Sequence, residues 1–97
     1  MTYSLSEDAQ RELAEIVAYY FEHASAKVAE RFLTEFARAA RLIDANPGLG
    51  TATLNGRRIF PVRRFPYSLV YRANDDGARI GAIAHQNRRP GYWRSRR

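Results

Sequence analysis

The sequence predicts an α+β fold: a helical hairpin packed on one face of a small, mainly antiparallel sheet, in the order β-α-α-β-β-β. Three observations predict it. Apolar residues recur at steps of three and four from Ala9 to Ile43, "NPG" at Asn46–Gly48 ends that pattern, and strand-like alternation takes over from Arg57 to His85.

The first residues, "TYSL", are short and extended enough to supply one strand. Ser4 and Glu7 have capping-box spacing, and Ser6 is an equal candidate for the cap. Ala9, Leu13, Ile16, Val17, Tyr20 and Ala24 then form an apolar stripe, with Glu12, Glu15 and Glu22 falling between them as a polar face. "HASAK" breaks this helix, and Ser25 is placed to cap the next. Val28, Ala29, Phe32, Leu33, Phe36, Ala40 and Ile43 repeat the spacing until Pro47 and Gly48 stop it. So short a connection predicts two antiparallel helices with their stripes on one surface.

"TATLNG" reads as a loop with a turn at Asn55-Gly56. "RRIFPV" reads as a strand whose Pro61 belongs at an edge or bulge. In "YSLVYRA", Tyr67, Leu69 and Tyr71 share one face, and Ser68, Val70 and Arg72 the other. "NDDG" is a hairpin turn, and "ARIGAIAHQ" the returning strand. No repeat or linker interrupts residues 1–97, so a single domain is expected. With the helices on one sheet face, the other is expected to be free and to carry the basic strands and tail.

Charge divides the chain. Residues 1–50 carry five basic and eight acidic side chains, net −3; residues 51–97 carry eleven and two, net +9. This asymmetry implies an anionic partner for the C-terminal half. Fifteen of the sixteen basic residues are arginine, whose planar fork suits phosphate and carboxylate, although a GC-rich genome would give the same ratio. Without cysteine there is no disulfide, thiolate nucleophile or Cys-ligated zinc, and His23 and His85 alone make no metal site; no metal or cofactor is expected. No apolar run reaches the roughly 20 residues of a membrane span, and the N-terminus has no signal pattern, so the expected location is the cytoplasm.

The candidate binding residues are Arg57, Arg58, Arg63 and Arg64 flanking the first strand after the helices, Arg72 before the hairpin turn, then Arg88, Arg89, Tyr92 and Trp93 after the last strand. Guanidinium groups interleaved with rings suit single-stranded nucleic acid, phosphates to the cations and bases to the rings. The same rings could instead fold back to cover the sheet. His85 has the proton affinity of a general acid or base, but one histidine at a strand end also serves as a structural hydrogen-bonder. RNA cleavage needs a proton acceptor, a phosphorane stabiliser and a proton donor. Arginine fills only the second role. Between Asp44 and Asp75 there is no carboxylate, lysine or histidine, which leaves His85 and Tyr92 as the proton-transfer candidates.

Taken in order, "LSEDAQRELAEIVAYY", "VAERFLTEF", "ANPGLG", "FPYSLVYRANDDG" and "IAHQNRRPGYW" resemble the RelE/ParE superfamily of type II toxin–antitoxin toxins over nearly the whole chain. The resemblance implies two helices on a small antiparallel sheet, growth inhibition, plasmid stabilization, and neutralisation by a cognate antitoxin. It offers two targets. RelE-like members are ribosome-dependent mRNA interferases, metal-independent endoribonucleases; ParE-like members inhibit DNA gyrase by binding it. On the ribonuclease pattern His85, Arg88, Arg89 and Tyr92 are the catalytic candidates. However, Ser68 stands where those enzymes often carry an arginine, and "RRIFPVRR" lacks their lysine or glutamate base. These departures favour the ParE-like branch and a protein that is not an enzyme, with the ribosome and mRNA as the alternative partners.

Overall fold

The computed structural model describes residues 2–53, 55–88 and 91–96. Its elements are β1 (Ser4–Leu5), α1 (Glu7–His23), α2 (Ala26–Ala45), a 3-10 turn (Pro47–Leu49), β2 (Thr51–Ala52), β3 (Arg58–Pro61), β4 (Tyr67–Asn74) and β5 (Gly77–His85). The strands form one sheet in the order β1-β5-β4-β3-β2, antiparallel except for β1, which runs parallel to β5.

Each helix begins where a serine can satisfy its free amides. Ser6 caps α1 by accepting from the Ala9 amide at 3.1 Å, and Ser25 caps α2 by accepting from Val28 at 3.1 Å. Ser4 belongs instead to β1, opposite Arg79. The 3-10 turn is fixed from the sheet: the Tyr71 hydroxyl donates to the Pro47 carbonyl at 2.7 Å and accepts from the Gly50 amide at 2.9 Å. "TATLNG" is not wholly a loop, because Thr51 and Ala52 pair with Ile59 and Arg58. Pro61 lies beyond that short pairing, where its missing amide leaves no gap in a ladder.

The main core lies between the helices and the sheet. Ala9, Ile16, Phe32, Phe36, Ala40 and Ile43 meet Leu69, Tyr71 and Ile80 there, all buried. Removing a side chain the size of Phe32 or Leu69 from water contributes roughly 1.5–3 kcal/mol. Gly81 is an extra residue in β5: Tyr71 pairs with Ile80 but Val70 with Ala82. This bulge reverses the alternation, so Ala78, Ile80 and Ile83 face the helices while Ala82 and Ala84 face outward.

The outer face is not free. Tyr92 and Trp93 return over it and pack on Ile59, Val70, Ala82 and Ala84. A second, smaller core results.

Candidate functional site

The tail returns because Gly91 adopts φ +78, and a Cβ there would come within 2.6 Å of Arg94 Nε. What then holds it is a buried carboxylate. Glu12, 6% exposed, accepts from the Ile83 amide at 3.0 Å and from the Tyr92 hydroxyl at 2.8 Å. Both carboxylate oxygens also receive Arg96, Nη1 to Oε1 at 2.9 Å and Nη2 to Oε2 at 3.2 Å. Arg96 donates as well to the Gly81 carbonyl, which also accepts from the Ser6 hydroxyl. Since β1 reaches only to Ile80, the rest of β5 would be an open edge. Ser6, Glu12, Tyr92 and Arg96 close part of it with side chains.

Glu12 therefore does not belong to a solvated polar face. It lies three residues after Ala9 and four before Ile16, on the buried side of α1, and that spacing was the available signal. Burial, then its hydrogen bond to Glu12, pushes the Tyr92 hydroxyl up to about 12. A phenol so placed holds its proton and donates it to a structural bond. Arg88 lies 4.0 Å from the centre of the Tyr92 ring and Arg96 5.0 Å.

The other candidates are dispersed. Arg57 is 5% exposed and donates to the carbonyls of Arg94 and Arg96, so it anchors the tail. Arg58 donates to the Gly50 carbonyl at 2.7 Å and holds the 3-10 turn. Arg63 and Arg64 are exposed in the β3–β4 connection, Arg64 with φ 71. Arg72 is exposed on β4, directly opposite Arg79. Trp93 is half-buried against the outer sheet face, and Arg89 lies outside the described residues.

His85 sits at the end of β5. Its ring meets Tyr67 edge-on at 5.1 Å, and its Nδ1 accepts from the Asn87 amide at 3.0 Å, closing the turn that follows. His85 and Arg88 together line two shallow clefts of about 180 and 140 Å³, one with Ser68 and Trp93, the other with Glu12 and Glu15.

The helices carry a different surface. Leu13, Val17, Phe21 and Leu33 line an open apolar groove of about 510 Å³ between α1 and α2. Phe21 is 62% exposed and Leu33 40%, unusual for side chains of that size. Leu13, Val17 and Leu33 belong to the apolar stripes read from the sequence, and the stripes are wider than the sheet can cover.

The sequence model of the ParE toxin of the type II toxin–antitoxin system parDE matches residues 3–90. The chain belongs to this family. In fold it is similar to a chain of the chromosomal ParDE toxin–antitoxin system from P. aeruginosa, with a TM-score of 0.74 and 20% sequence identity. That likeness covers 88% of this chain and 95% of the other. No curated protein matches in sequence. As a ParE-family toxin, the chain keeps the expected helical hairpin on a sheet and ends it with the tail clamped to Glu12. Among the described residues, no helix is long and apolar enough to cross a membrane.

Proposed function

We propose that this ParE-family toxin inhibits DNA gyrase by binding it, in the cytoplasm and without catalysis, until a cognate antitoxin covers it. The observation that carries this is the outer sheet face. Ser68 stands where an RNA-cleaving relative would place an arginine, Ile59 and Val70 beside it are apolar, and Tyr92 is committed to Glu12. The exposed arginines there are suited to gripping acidic protein or DNA, and poorly suited to moving protons. The groove between α1 and α2 offers the antitoxin an apolar seat for one face of a helix.

Expression of His85→Ala and of wild type in growing cells tests the non-catalytic mode. Undiminished toxicity of the variant is expected; complete loss in soluble, folded His85→Ala protein would count against it. The alternative, a ribosome-dependent mRNA interferase, draws on the two clefts that His85 and Arg88 share. It requires transcript cleavage on toxin induction, and loss of that cleavage on substituting Arg88 or Tyr92.

A further inference from the structure

Three arginines stand in a row across the outer face. Arg72 and Arg79 are direct cross-strand partners. Arg57 immediately precedes Arg58, whose partner is Tyr71, and so lies alongside Arg72. Like charges placed opposite each other on paired strands destabilise a sheet. Among the described residues, none of the three has a carboxylate within 4.0 Å; the ion pairs there belong to Arg11 and Arg96. Among the described residues Arg57 donates to backbone carbonyls, and Arg79 makes a long contact of 3.4 Å to the Ser4 hydroxyl. Arg72 Nη1 rests against the turn at Gly56, where a Cβ would stand 3.3 Å away.

These side chains do not splay into solvent independently. With Arg96 and Trp93 from the tail, they line one cavity of about 40 Å³. A single water needs roughly 10–15 Å³ on that measure, so a phosphate-sized group fits while a sugar or base does not. Burial, then the charges of Arg72 and Arg96, hold the Arg57 guanidinium below its usual value.

We propose that this cavity binds one phosphate dianion, gripped by Arg57, Arg72 and Arg79, and that the bound anion locks the C-terminal tail to the sheet. Among the described residues Arg72 and Arg79 have no carboxylate partner, and with the buried charge of Arg57 beside them they favour phosphate over carboxylate. A phosphate carries about −1.5 to −2 charges near neutral pH and several acceptor oxygens, whereas a carboxylate carries one charge and two. The coupling to the tail follows from the lining, since Trp93 and Arg96 form one wall and Arg57 holds the Arg94 and Arg96 carbonyls.

The test is a titration of the full chain with inorganic phosphate at constant ionic strength, read by melting temperature and by fluorescence of the single tryptophan. Saturable binding is expected, weakened about tenfold or more in Arg72→Gln and in Arg79→Gln. Both side chains are exposed, so these variants should fold, and in phosphate-free buffer they should melt no lower than wild type because the like-charge pair is gone. Wild-type affinity in both variants, or an equal response to acetate, overturns the proposal. A 5′-phosphorylated dinucleotide and its unphosphorylated counterpart distinguish the sources. Tighter binding of the phosphorylated form supports the site and identifies a nucleic-acid end as its ligand. Binding of inorganic phosphate alone supports the site for the free ion. Equal binding of both dinucleotides rejects a dianion site.

Discussion

Glu12 joins a helix, a strand edge and the tail through one carboxylate. Its charge is matched by Arg96, and its oxygens are occupied by the Ile83 amide and the Tyr92 hydroxyl. Removing one partner of a buried ion pair costs about 3–5 kcal/mol because the other is left uncompensated. Glu12→Ala is therefore expected to show a loss of that order in a denaturant melt, a large part of the roughly 5–15 kcal/mol typical of a domain. Glu12→Gln, which keeps an acceptor but not the charge, should fall between it and wild type. Tyr92 gives a second readout. Its hydroxyl, raised from 10.0 to about 12, favours the folded state fully below pH 10, and that contribution is lost as pH rises through 12. Tyrosinate absorbance should show this group titrating near pH 12, and Tyr92→Phe should remove the corresponding alkaline loss of stability. Neither role was legible from composition. Spacing alone puts Glu12 on the buried side of α1, but its partners lie 71, 80 and 84 positions away.

At the level of elements the sequence was more informative, because helices and turns are specified locally. Serine caps, the apolar stripes and Asn-Pro-Gly placed both helices. Strand β2 escaped notice because two residues carry no period. The bulge at Gly81 had a signal, a glycine inside a strand, but its effect on side-chain direction depends on the pairing with β4. The β4–β5 turn shows how tightly such elements join. Gly77 has φ +123, and an added Cβ would sit on Asp44 Oδ1 and 2.9 Å from the Thr2 carbonyl. That same Asp44 oxygen accepts from the Ala78 amide at 3.2 Å, tying α2 to the hairpin. Gly77→Ala should thus destabilise by more than about 1 kcal/mol, measured by thermal or denaturant unfolding. The helical groove makes a prediction of binding rather than stability. Phe21→Asp or Leu33→Glu changes an already exposed side chain, so folding should survive while co-purification with the antitoxin fails.

The whole molecule separates its surfaces by side. The helices present an apolar groove, and the sheet and tail present arginine. The charge division between the two halves of the sequence announced this separation, net −3 against +9. Sequence offered the fold-back of Tyr92 and Trp93 over the sheet as one of two readings but could not decide it, since that depends on contacts spanning nearly the full chain. Nor does the row of Arg57, Arg72 and Arg79 emerge before strand register is known. Family membership and the occupation of Tyr92 by Glu12 both favour a toxin that acts by binding. The direct measurement is supercoiling of relaxed plasmid by purified gyrase with the folded toxin added. Gyrase binding predicts inhibition at near-stoichiometric toxin, with cleaved DNA accumulating. Unchanged supercoiling at a large excess of folded protein would contradict it and direct attention to transcript cleavage on the ribosome.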